Sequence, residues 1–107
     1  MKYNSYGTEY ELSFVKSEYV TNGNLAIQIM GKENGEDYDM PFCMLTVNLD
    51  KKLPPNMSFI DSNNCPREII AELEMKGKII PTGLILSSGW CVYEAYEFTK
   101  EFLDEID

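Results

Sequence analysis

Apolar and polar positions near the N-terminus alternate with the two-residue period of a half-buried strand. Tyr10, Leu12 and Phe14 are interleaved with Glu9, Glu11 and Ser13. Tyr6-Gly7-Thr8 is a turn joining this strand to a short first strand around Lys2 to Ser5. Asn22-Gly23 and Asn34-Gly35 predict two further hairpins, because tight two-residue turns need positive φ at both central positions. A two-residue loop at Asn34-Gly35 makes paired positions sum to 69, so Ile27 faces Phe42, Ile29 faces Met40 and Leu25 faces Met44. A slip of one residue would send every side chain to the other face.

After Met44 the apolar phase moves to Leu45, Val47 and Leu49, which calls for a bulge between Pro41 and Leu45. Lys51 to Asn56 reads as a loop and Met57 to Asp61 as a short apolar strand. The period then becomes helical. Pro66, Ile69, Ile70 and Leu73 form one stripe, Asn64 is positioned to cap it, and Gly77 to end it in the left-handed conformation. Ile79-Ile80, Leu84-Ile85-Leu86 and Trp90 to Phe98 add strand, separated by a Pro81-Thr82-Gly83 turn and a Ser87-Ser88-Gly89 connection. Phe98, Phe102 and Ile106 recur every four residues, allowing a short helix over Thr99 to Ile106, although aspartates at its C-terminal end oppose the dipole. The expected class is α+β in one domain, residues 1–107. Its centre is a mainly antiparallel, strongly bent sheet of about five to seven strands with one docked helix and the short C-terminal one.

The chain has 107 residues, 44% hydrophobic and 25% charged, which are globular proportions. Charge changes the picture more. Eighteen acidic side chains oppose nine basic ones, for a net −9. Such a surface repels phosphate backbones and anionic membranes, so neither direct nucleic-acid binding nor membrane adhesion is expected. There is no histidine, which removes Ser-His and Cys-His nucleophile pairs and histidine-bearing zinc sites. Cys43, Cys65 and Cys91 are odd in number and far apart, unlike a disulfide framework or a Cys-x-x-Cys metal pair, and read as reduced thiols in a cytoplasmic protein. No apolar run approaches the roughly eighteen residues of a membrane span, and the N-terminus lacks a signal-peptide pattern. No cofactor or metal is called for.

Several segments occur in a characteristic order. They are Asn22-Gly23-Asn24-Leu25-Ala26-Ile27-Gln28, Leu45-Thr46-Val47-Asn48-Leu49, Phe59-Ile60-Asp61-Ser62-Asn63-Asn64-Cys65-Pro66, Pro81-Thr82-Gly83, and Ser88-Gly89-Trp90-Cys91-Val92-Tyr93-Glu94-Ala95-Tyr96-Glu97-Phe98. The series resembles an uncharacterised family, domain of unknown function 4313, small proteins of Firmicutes and gut bacteria often carried on conjugative elements and prophages. The resemblance implies an accessory gene of a mobile element and transfers no catalytic residue. After Pro-Thr-Gly this chain has Leu84-Ile85-Leu86 in place of a more polar, Gly/Arg-containing run.

Carboxylates cluster twice. Glu33, Glu36, Asp37 and Asp39 surround the Asn34-Gly35 hairpin tip, and Glu94, Glu97, Glu101, Asp104, Glu105 and Asp107 face only Lys100. They read either as a phosphate-like surface for a basic partner or as a solvated face that maintains solubility. Asp61, Asn63 and Asn64 fit either a polar ligand or a strand-to-helix turn that satisfies its own backbone. Trp90 and Tyr93 are a contact hot spot if exposed and core if buried; burial is the expectation for a lone tryptophan.

The leading expectation is a small, acidic, non-enzymatic interaction protein that binds a host protein with a basic surface. Its concrete form is an inhibitor of a nucleic-acid-binding defence factor of the anti-CRISPR or anti-restriction kind. The alternative is a small-ligand module built on Asp61, Asn63, Asn64, Trp90 and Tyr93. A monomer or weak homo-oligomer is expected, the latter through a sheet edge.

Overall fold

The first reversal of the chain is a two-residue turn at Tyr6 and Gly7, with φ of 50° and 84°, closing Ser5 against Thr8. Both residues sit in the left-handed region that this turn class requires. The computed structural model describes residues 1–107. In chain order the elements are β1 (Lys2–Ser5), β2 (Thr8–Glu18), β3 (Leu25–Glu33), β4 (Met40–Met44), β5 (Thr46–Val47), β6 (Met57–Ile60), α1 (Arg67–Met75), β7 (Ile79–Ser88), β8 (Cys91–Phe98) and α2 (Lys100–Glu105). The α+β expectation and its antiparallel character hold. The single bent sheet of five to seven strands is corrected to eight strands in two sheets, ordered β1-β2-β3-β4 and β5-β6-β8-β7.

Leu45 is where one sheet hands the chain to the other. Its N–H donates to Ile27 in the first sheet, and its carbonyl accepts from Asp61 beyond β6. Thr46 Oγ1 accepts from the Ile27 N–H, and the Ser58 hydroxyl donates to the Leu25 carbonyl. These buried polar contacts satisfy backbone groups where the two ladders diverge.

The β3–β4 hairpin forms, but not in the expected register. Gln28 faces Met44, Ile29 faces Cys43 and Met30 faces Pro41, with Phe42 left over as the bulged residue. The tight loop would have set Glu33 directly opposite Glu36, and like charges in that position are destabilising. The chain instead takes a loop from Asn34 to Asp39, in which only Gly35 has positive φ. The expected bulge between Pro41 and Leu45 is thus present, at Phe42. Its ring lies against Gly31 and makes edge contacts with Tyr3 and Tyr10 at 5.8 and 5.2 Å. At Asn22-Gly23, too, only the glycine is left-handed; the loop is longer and closes through Gly23 N–H to the Tyr19 carbonyl.

α1 buries Ile69, Ile70 and Leu73, each stabilising by roughly 1.5–3 kcal/mol. Its C-terminus is as expected: Gly77 (φ 71°) donates to Glu74 and Lys78 to Leu73, the paired bonds of a Schellman motif. Its N-terminus differs. Pro66 occupies the cap without a side-chain bond, and Asn64 does not cap, because it stands two residues before that position; its Nδ2 donates to the Asp61 carboxylate instead. α2 is capped by Thr99, whose hydroxyl accepts from Phe102 N–H.

The expected Pro81-Thr82-Gly83 turn is a bulge inside one continuous strand. Pro81 pairs with Tyr96 and Ile85 with Glu94, so the extra residues loop out of the ladder. Thr82 Oγ1 donates to the Ala95 carbonyl at 2.6 Å, and Gly83 N–H donates to the Glu94 carboxylate at 3.0 Å.

The main core lies between the sheets and helices. Leu12, Phe14, Ile27 and Ile29 meet Leu45, Ile60 and Phe98, with α1 and Phe102 of α2 closing it. A second cluster, Leu49, Leu53, Phe59, Tyr93 and Ala95, covers the other face of the second sheet. The buried Asn24 pins that cover, accepting from Leu53 N–H and donating to the Lys51 carbonyl. No helix is long and apolar enough to cross a membrane.

Candidate interaction surfaces

The first acidic cluster keeps its side chains free. Glu33, Glu36, Asp37 and Asp39 are all exposed at the β3–β4 tip, and none enters an ion pair. Glu33 and Glu36 share a small cleft of about 250 Å³ with Lys2 and Lys32.

The second cluster is dispersed. Glu94 and Glu97 are three residues apart on one strand and therefore project from opposite faces. Glu94 is occupied by the Gly83 amide, and Glu105 is bridged by Lys78 at 2.6 Å. Asp104 is bridged by Lys100, also at 2.6 Å, and that ammonium holds the Asp104 carboxyl below its ordinary range. Glu101 and Glu97 are exposed and outside any ion pair, Glu101 in the first turn of α2 where the helix dipole favours it. The two clusters thus differ in kind: one is a free tip, the other largely a set of local structural contacts.

The Asp61 to Asn64 segment is a self-satisfied turn. Asp61 is buried, and its carboxylate accepts from Asn64 N–H at 3.1 Å and Asn64 Nδ2 at 3.0 Å. Asn63 is exposed beside it. Four principal clefts open on the surface, and none is lined by Asp61, Asn63, Asn64, Trp90 or Tyr93. The largest, about 410 Å³ between Leu12, Phe14, Leu73 and Phe102, includes Glu105 and Asp107 of the second acidic cluster and no other candidate. No three Cys, Asp and Glu side chains cluster as metal ligands.

The expected burial of Trp90 is corrected. Ser88 pairs with Cys91, so Gly89 and Trp90 are the two-residue tip of the β7–β8 hairpin, with Gly89 at φ 62°. A side chain at such a tip has no sheet face to lie on, and Trp90 is fully exposed. Tyr93 does face inward, into the second cluster, where its bond to the Cys91 thiol, with burial, raises its pKa. The pattern reading missed Ile85 and Val92, which flank the tip and stay more than half exposed. They line a groove of about 230 Å³ with Ile60, Ile70, Tyr96 and Glu94. A signal was available: Leu84 to Tyr93 holds no charged residue in a chain that is 25% charged.

No curated protein and no solved structure matches this chain. The family described as Domain of unknown function (DUF4313) matches residues 13–107, from the middle of β2 to the last residue, and the chain belongs to that family.

Proposed function

We propose that this protein is a non-enzymatic interaction module that binds a host protein with a basic surface. One observation carries the reading: Trp90 is left in solvent at the tip of an uncharged hairpin whose two strands also expose Ile85 and Val92. Tryptophan is the residue most enriched at binding hot spots, and folding gives this one no partner. The net charge of −9 and the free carboxylates of the β3–β4 tip favour a cationic partner and speed its encounter. The resemblance to mobile-element proteins supports a concrete form, an inhibitor of a nucleic-acid-binding defence factor in the bacterial cytoplasm. The small-ligand alternative has less support, because its residues do not converge on a cleft.

The test is capture of host proteins on the immobilised chain at low and high salt, beside Trp90→Ala. A basic or nucleic-acid-handling protein retained at low salt, and lost with Trp90→Ala, is the expected result. Failure to retain any such protein at either salt overturns the reading.

A further inference from the structure

The chain holds two Asn-Gly steps, Asn22-Gly23 and Asn34-Gly35, and the fold treats them oppositely. Such a step carries its own reactivity, because glycine has no side chain to keep its backbone nitrogen from the Cγ of the preceding asparagine. Two groups must be free for that attack: the asparagine amide, which has to swing over the backbone, and the glycine N–H, which is the nucleophile. We propose that Asn34 is a site of spontaneous modification, where deamidation gives aspartate and isoaspartate at the β3–β4 tip, while Asn22 is held inert by the fold.

At Asn22 both groups are engaged. Its Nδ2 donates to the Leu49 carbonyl at 3.2 Å, and its Oδ1 accepts from the Asn24 N–H at 3.1 Å. The Gly23 N–H donates to the Tyr19 carbonyl at 2.8 Å. Asn24, the next residue, is buried and tied to the Lys51–Leu53 backbone, so the loop has no slack. At Asn34 the position is reversed. Asn34 and Gly35 are both exposed, and neither the Asn34 side chain nor the Gly35 N–H has a hydrogen-bond partner in the chain. A Cβ built on Gly35 would meet nothing within 4 Å, so a five-membered ring has room to close. Having three hydrogen bonds to break makes Asn22 slower by about tenfold or more.

The reaction needs only water. The Gly35 nitrogen attacks Asn34 Cγ; the N–Cγ bond forms, the Cγ–Nδ2 bond breaks, and ammonia leaves with the Gly35 amide proton. Water then opens the succinimide at either carbonyl, restoring a peptide N–H and leaving a carboxyl that ionises to solvent. Opening at one carbonyl gives aspartate; opening at the other gives isoaspartate, with the backbone running through the former side chain. Either product adds a negative charge to the net −9 and joins Glu33, Glu36, Asp37 and Asp39 at the tip. The site lies outside β3 and β4 and contributes nothing to the core, so the fold survives the change.

The test is prolonged incubation of the full chain at neutral pH, native and in denaturant, followed by charge-resolved separation and peptide mapping that distinguishes aspartate from isoaspartate. The native protein should accumulate a more acidic species modified at Asn34 and unmodified at Asn22, with an unchanged melting temperature. In denaturant both positions should react at similar rates. Asn34→Gln, an exposed change whose longer side chain does not close this ring readily, should yield no such species from the folded protein, and Asn34→Asp should co-migrate with the aspartate product. Equal reaction of Asn22 and Asn34 in the native protein, another asparagine reacting first, or an Asn34 that stays intact when folded would each overturn the proposal. So would an Asn22 that stays inert in denaturant, because its protection would then not come from the fold.

Discussion

Thr46 Oγ1 accepts the Ile27 N–H at 3.1 Å, and the Tyr19 hydroxyl meets the same oxygen at 2.9 Å. One hydroxyl thus joins β3, β5 and the β2–β3 loop at the seam between the sheets. Thr46→Val keeps the shape and removes the shared oxygen, leaving a buried N–H without a partner. The expected loss is about 1–3 kcal/mol in denaturant-unfolding stability. A cost near zero would show that this seam does not need the bond.

Phe102 anchors α2. Its ring meets Phe14 edge-on at 5.3 Å and stacks with Phe98 at 6.2 Å, and it is almost fully buried. Phe102→Ala should cost about 3–5 kcal/mol and raise hydrogen exchange across Lys100–Glu105 before the sheets respond. Uniform exchange throughout the chain would instead make α2 part of a single cooperative unit.

Gly31 is required for close approach rather than for backbone freedom. A Cβ there would lie 3.2 Å from Phe42 Cδ1 and 3.5 Å from its Cβ. Gly31→Ala should therefore destabilise by about 1–3 kcal/mol, as overpacking does. Phe42→Leu in the same background should recover part of the loss in thermal melts.

Alkaline stability should fall from the ordinary tyrosine range upward. Burial raises the pKa of Tyr19 above its ordinary 10.0; the Thr46 bond partly offsets this, and Asp61 adds to the rise. The unfolded chain therefore releases the proton first, so stability is intact below the unfolded value and is lost as pH rises through the folded one. Tyr3, Tyr93 and Tyr96 are shifted the same way. Tyrosinate absorbance of the native protein should lag that of the denatured chain. Coincident titrations would contradict the buried setting of Tyr19.

Much of the fold was legible where a local rule decides the geometry. The Tyr6-Gly7 turn, the Ile69-Ile70-Leu73 stripe ending at Gly77, and the bulge near Pro41 each follow from neighbouring residues alone. The β3–β4 register was not legible from hydrophobic matching, because repulsion between Glu33 and Glu36 opposes the tight loop that matching assumed. The burial of Asn24 depends on the distant Lys51–Leu53 backbone, which neighbouring residues do not signal. Among candidate sites, the free carboxylates around Asn34-Gly35 were readable. Trp90 was not, since its exposure depends on which two residues form the hairpin tip.

The most direct measurement is the salt dependence of affinity for a captured basic partner, comparing the native chain, Trp90→Ala and a Glu33→Gln, Glu36→Gln, Asp37→Asn, Asp39→Asn variant. Trp90→Ala should weaken binding at every salt concentration while shifting stability by no more than about 0.5 kcal/mol, as surface changes do. The neutralised tip should weaken binding mainly at low salt and flatten the salt dependence. Unchanged affinity in both variants would contradict the account.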